Sequence, residues 1–176
     1  LNIVFTFRPP RNIQADLQKK FPNETFSFYK EINEARPLKE AEIIVTFGSD
    51  LTKEHIDESE SLKWIMVASA GIEEMPLQAI KERDILVTNA RGIHKVPMAE
   101  FTIGFMLNHV KRFAELHKLE QTETWNKQLP LEELYGKEIT VLGTGAIGQE
   151  IARLAKAFHM TTTGVNKSGH TAEGFD

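Results

Sequence analysis

The segment Gly143-Thr144-Gly145-Ala146-Ile147-Gly148 constrains this chain more than any other. It follows a β-rich run at 137–142. It opens a stretch at 146–158 in which Ile147, Ile151, Leu154, Ala155 and Phe158 recur on one face of a 3.6-residue period. Strand, glycine turn and amphipathic helix, in that order, open a dinucleotide-binding unit. The first glycine makes the tight turn, the second lets backbone approach a pyrophosphate, and the third lets the helix press on the strand. The helix amino terminus then offers free N–H groups and the positive end of its dipole to the phosphates, with no basic side chain needed. A further β-rich run at 161–165 completes the unit, so the turn predicts a dinucleotide site and not packing alone.

The end of that second strand is where an acidic residue would bind the ribose hydroxyls of NAD. Asn166, Lys167 and Ser168 stand there instead, and an amide, a cation and a hydroxyl suit a 2′-phosphate. The expectation is NADP in preference to NAD. The competing reading makes Lys167 an ordinary solvated loop lysine.

Upstream, short runs rich in Val, Ile, Thr and Phe at 3–7, 25–29, 42–47, 63–67 and 85–88 read as strands. Helix-length segments at 12–20, 52–59 and 76–81 lie between them, which is the α/β pattern of parallel strands joined by crossovers. The stretch at 30–42 mixes acids and bases and reads as solvated surface. Residues 91–97 form the best candidate for a junction. A helix at 97–116 then starts from Pro97 and carries Ala99, Phe101, Ile103, Phe105, Met106, Leu107, Val110 and Phe113, too many for one stripe. It is either a central core helix or an interface, and a homodimer through helix 97–116 is the prediction. The polar stretch at 122–134, with Trp125, reads as an irregular connection.

Composition excludes several function classes. There is no cysteine, hence no disulfide, thiolate metal site or thiol nucleophile, and no metal site is expected. The net charge of -4 is spread over interspersed residues of both signs, so nucleic acid is not an expected partner. The longest uncharged apolar stretch, 101–107, is far short of the roughly 18 residues of a membrane span. The first seven residues lack a basic leader and run into Arg8-Pro9-Pro10, so a cytoplasmic protein is expected.

Three motifs together resemble the D-isomer-specific 2-hydroxyacid dehydrogenases, the family of glyoxylate and hydroxypyruvate reductases and phosphoglycerate dehydrogenases. Val67-Ala68-Ser69-Ala70-Gly71-Ile72-Glu73 is similar to the family's substrate loop. Val87-Thr88-Asn89 with Gly92 and Ala99-Glu100 is similar to its hinge and helix start, and Gly143 to Gly148 with Ala152, Ala157 and Phe158 to its cofactor turn. The resemblance implies a flavodoxin-like parallel-sheet substrate domain at 1–95. An incomplete Rossmann dinucleotide-binding domain would follow at 96–176, with the active site in the cleft between the two. It implies that Ala70 and Gly71 offer backbone amides to the carboxylate of a small 2-oxo or 2-hydroxy acid. Met98 would lie near the nicotinamide, and Ala146 and Ile147 would touch the pyrophosphate. The activity implied is NAD(P)-dependent interconversion of a 2-oxo acid and a D-2-hydroxy acid.

The family's substrate-holding arginine, proton-exchanging histidine and tuning acid would all lie downstream of Asp176. The chain therefore reads as the inactive amino-terminal part of a longer enzyme, with no catalytic residue of its own. Asn89-Ala90-Arg91-Gly92 imitates the catalytic arginine segment, but the Ala99-Glu100 helix start that follows places Arg91 at the hinge, in a structural role. His94, His109, His117 and His159 have no carboxylate partner that sequence can place and read as surface or packing residues. The alternative from another class is a noncatalytic dinucleotide-sensing interaction protein on the same fold. A flavin or methyl-donor protein on a similar turn fits the first eighty residues less well.

Overall fold

Five short parallel strands carry the first part of the chain: β1 (Asn2–Phe5), β2 (Thr25–Phe28), β3 (Ile43–Thr46), β4 (Trp64–Val67) and β5 (Leu86–Asn89). Their order in the sheet is β2-β1-β3-β4-β5, the flavodoxin-like arrangement. These come from a computed structural model describing residues 1–176, in which the chain divides into two compact units, Leu1–Arg91 and Gly92–Asp176. All five expected strands form, with ends displaced by a residue or two.

The central strands are apolar on both faces because helices cover both sides of a parallel sheet. Ile44 of β3 and Ile65 of β4 pair in register and are fully buried, as is Ile56 on helix α2 (Lys53–Glu58). Helices α1 (Arg11–Lys20) and α3 (Leu77–Glu82) complete the crossovers. Where the chain leaves β1 and β3, the Phe7 and Phe47 rings meet with centroids 4.3 Å apart.

The 30–42 stretch corrects the sequence reading. It is not merely solvated surface: Ile32, Ala35, Leu38 and Ala41 all enter the core. A 3-10 turn at Ile32–Ala35 sets Ile32 and Ala35 three apart on the inner side, and beyond it Leu38 and Ala41 follow inward while the charges between them face out. Arg36 pairs with Glu58 on that outer side.

In the second unit, helices α4 (Lys95–Val110) and α5 (Phe113–Gln121) precede β6 (Glu138–Leu142), α6 (Ala146–Ala157) and β7 (Thr161–Val165). β6 and β7 pair in parallel from Glu138↔Thr161 to Leu142↔Val165. α6 packs on both strands and also along α4. Its buried stripe is Gly148, Ala152 and Ala155, with Ile151, Leu154 and Phe158 half-buried beside it. Ile147, expected on that face, lies on the exposed side.

The helix expected at 97–116 is two helices. It begins at Lys95, which puts Pro97 third, still within the first turn where no N–H is needed. It ends at Val110 because the Val110 carbonyl accepts the Glu132 N–H at 2.9 Å, and Arg112 then turns left-handed at φ 49°. The returning 122–134 segment thus takes an acceptor that a continuing helix would use. Ala99, Ile103 and Val110 face the core, whereas Phe101 and Phe105 are 62% and 60% exposed, their rings 4.6 Å apart. No helix is long and apolar enough to cross a membrane.

The start of α2 yields a test. Thr52 accepts from the His55 N–H while its own N–H donates to His55 Nδ1 at 3.1 Å, a reciprocal cap. Burial, and secondarily the Arg36 guanidinium, holds this imidazole below its ordinary value of 6.5. The neutral ring is the one that accepts, so the cap contributes fully above pH 6.5 and is lost as pH falls through the lower folded value. Unfolding midpoints measured from pH 8 to pH 5 should fall more steeply for the wild type than for His55→Gln. The difference should correspond to about 1 kcal/mol, the worth of a cap. Equal slopes would refute the assignment.

Candidate functional site

β6 runs into Gly143, whose φ of 103° only glycine adopts freely, and the Gly143 N–H donates to the Val165 carbonyl at 2.8 Å. That bond ties the ends of β6 and β7 together. Thr144 is buried, and Gly145 caps α6 with no side chain to satisfy the helix. A Cβ at Gly148 would overlap the Gly143 carbonyl oxygen and come within 3.2 Å of Val141 Cγ1, so the absence of a side chain lets α6 reach the end of β6. A Cβ at Gly145, in contrast, would meet nothing within 4 Å.

The Gln149 N–H takes the Gly145 carbonyl at 2.9 Å, while the N–H groups of Ala146, Ile147 and Gly148 donate to no acceptor in the protein. Free donors, a dipole end and open space beside Gly145 are what a diphosphate would need. The donor chemistry and the space both fit that group.

At the far end of β7, Asn166 donates to Thr144 Oγ1 at 2.9 Å and to the His170 carbonyl at 2.8 Å. Ser168 Oγ donates to Asn166 Oδ1 at 3.2 Å and also contacts His170 Nδ1. Lys167 is exposed. The structure therefore brings Asn166 and Ser168 together with the glycine turn, through Thr144 and His170, two residues that sequence reasoning missed. Side chains of this kind at the end of a second strand were the available signal.

A tail segment backs this region. Asp176 accepts from Thr162 N–H and hydroxyl at 2.7 and 3.0 Å and pairs with Lys156 at 2.8 Å, so its carboxyl is lowered to about 2 by Lys156 first and Thr162 second. Phe175 lies over Gly164, where a Cβ would sit 2.8 Å from the ring and 2.7 Å from the Thr144 methyl.

The second candidate turn follows β4. Ser69 Oγ donates to the Phe47 and Gly71 carbonyls at 3.0 and 3.2 Å, and Asn89 Nδ2 holds the Ala70 carbonyl at 2.6 Å. The Ala70 and Gly71 N–H groups donate to no protein acceptor. A cleft of about 270 Å³ adjoins the turn, lined by Phe47, Ser49, Ser69, Glu73 and Met75 among others. The Glu73 carboxylate rests close by, 2.6 Å from where a Gly71 Cβ would stand. This turn has the donors for an anion and already neighbours one of the protein's own.

Met98 is half-exposed near the start of α4, its N–H bonded to the His94 carbonyl at 3.0 Å. Arg91 is exposed at the division between the units. His117, read as lacking a carboxylate, has Glu120 at 3.4 Å, with both side chains largely in solvent. His159 packs on Tyr135 at 5.2 Å. No cluster of three or more His, Cys, Asp or Glu could hold a metal ion.

A flavodoxin-like sheet and a glycine turn opening a helix define a parallel α/β protein with a phosphate-ready turn. The profile described as D-isomer specific 2-hydroxyacid dehydrogenase, catalytic domain, matches residues 4–174, and the chain belongs to that family. It is 33% identical over 129 residues to D-3-phosphoglycerate dehydrogenase of Methanocaldococcus jannaschii, covering 72% of this chain and 25% of that protein. It is 33% identical over 119 residues to hydroxypyruvate reductase of Thermotoga maritima, covering 67% of this chain and 39% of that protein. The crystal structure of D-lactate dehydrogenase from Aquifex aeolicus, complexed with NAD and lactic acid, superposes with a TM-score of 0.78. It is 25% identical, over 95% of this chain and 52% of that one. The chain thus spans well under half the length of these two curated relatives.

The glycines separate stability from binding. Gly148→Ala should cost about 3 kcal/mol or more in chemical denaturation, since backbone must move. Gly145→Ala should cost less than about 1 kcal/mol yet weaken dinucleotide binding at least tenfold, by placing a methyl where phosphate would approach. Equal stability losses in the two variants would contradict this division.

Proposed function

We propose that this chain is part of an enzyme that interconverts a small 2-oxo acid and its D-2-hydroxy acid with a nicotinamide dinucleotide. One observation supports it most: the unsatisfied amino terminus of α6, pressed to the end of β6 by Gly148 and open at Gly145, in a member of this family. The bound nicotinamide would supply or accept the hydride at the carbonyl carbon.

The parts of this chain have distinct tasks in the proposal. Residues 1–95 serve the substrate, with Ala70 and Gly71 donating N–H groups to its carboxylate once the exposed Glu73 side chain turns aside. Residues 96–176 serve the cofactor. Gly143, Gly145, Ala146, Ile147 and Gly148 cradle the diphosphate, and Met98 lines the nicotinamide side. Lys167 and Ser168, with Asn166 beside them, form the 2′-phosphate end and favour NADP over NAD. The resemblance assigns no acid–base residue to this chain, so by itself it binds poorly and turns nothing over.

Titration of the full-length protein with NADPH and NADH tests the cofactor reading. NADPH should bind more tightly, and Lys167→Ala should weaken NADPH about tenfold, one charge-assisted contact, while NADH changes less than about twofold. A tighter NADH complex in the wild type would overturn the NADP preference.

The enzyme is further proposed to be a homodimer in which a second copy covers α4. Phe101 and Phe105 leave a paired aromatic surface in water, and Trp125 is 84% exposed. In sedimentation, the full-length protein should run as a dimer, and Phe101→Glu with Phe105→Glu should run as a monomer. A monomeric wild type that folds well would dispose of the idea.

A further inference from the structure

The amide of Asn166 is fully engaged inside the protein. Both Nδ2 protons have acceptors, Thr144 Oγ1 and the His170 carbonyl, and Oδ1 accepts from Ser168. Nothing on that side chain remains to donate to a ribose or a phosphate. One of its partners, Thr144, is itself buried in the glycine turn, with its methyl against Gly164 of β7. A single side chain therefore links the turn at 143–145 to the loop at 167–170.

Resting on the dinucleotide reading above, we infer that Asn166 is a positioning residue. Anchored by Thr144 and braced by the Ser168 hydroxyl, it fixes the 167–170 loop so that Lys167 and His170 present their donors to the 2′-phosphate, and selectivity for NADP depends on this anchor. A carboxylate in its place would still accept the Thr144 hydroxyl proton. But that oxygen, standing where Nδ2 stood, would also face the His170 carbonyl with no proton between them, while the other oxygen keeps the Ser168 hydroxyl. Asn166→Asp should then loosen the loop without creating a ribose site.

The full-length protein is titrated with NADPH and with NADH. Thr144→Val, which touches only the anchor, should lower the NADPH-to-NADH affinity ratio about fivefold, the size of one net hydrogen bond, and Thr144→Ser should restore it. Asn166→Asp should lower the ratio by weakening NADPH, leaving NADH no tighter. The double variant Thr144→Val with Asn166→Asp should be no worse than the worse single one, because both break the same link. Tenfold tighter NADH binding by Asn166→Asp, or a Thr144→Val protein that loses both cofactors equally, overturns the inference while leaving the dinucleotide site intact. A wild type that binds neither cofactor overturns the dinucleotide reading itself. If Thr144→Val does not fold, Asn166→Ala and Asn166→Asp decide: the inference requires both to lose selectivity, and a gain in NADH affinity by the aspartate alone refutes it.

Discussion

The contact between Gly148 and the Gly143 carbonyl governs the second unit. With no side chain in the way, α6 is drawn against the end of β6, and the fully buried Ala152 and Ala155 continue the small-residue seam along the helix. The same seam lets α4 lie close to α6, so helix packing and the placement of free N–H donors have one cause. Field strength at a helix end falls off within a turn, which makes that short distance the determinant of what the turn can attract.

Much of this was legible in the residues because it is local. β-branched runs announce parallel strands, and glycines at fixed spacing announce a strand-turn-helix corner, without reference to the rest of the chain. What escaped depends on partners remote in sequence. The end of α4 at Val110 is set by the Glu132 N–H, which no periodicity encodes. Ile32, Ala35, Leu38 and Ala41 recur at three, neither the strand nor the α-helix interval, and charges between them disguise the pattern. Asn166 is recognisable as a non-acidic residue at the right place, but its dependence on Thr144 becomes visible only once the two strands lie side by side. The return half of the Thr52 cap escaped because histidine stands where glutamate or glutamine is usual.

The two anion-ready turns differ in electrostatic setting. Around the α6 terminus the donors face open space. At Gly71 the neighbouring Glu73 carboxylate opposes a second negative charge, and only its exposure to solvent screens that opposition. In the proposed reading, affinity for a diphosphate would rest on the backbone alone. Affinity for a small carboxylate would depend on where the Glu73 side chain points.

The Phe7 and Phe47 rings have a consequence for what the first unit's topology permits. In a β2-β1-β3-β4-β5 sheet, the crevice beyond β1 and β3 is where planar cofactors customarily insert. Two aromatic rings meet at 4.3 Å, tilted by 35°, at the strand ends that border that crevice. A planar ligand entering there would have to part this contact, whereas the cleft lined by Phe47, Ser69 and Met75 stands open one strand over, at the neighbouring ends of β3 and β4.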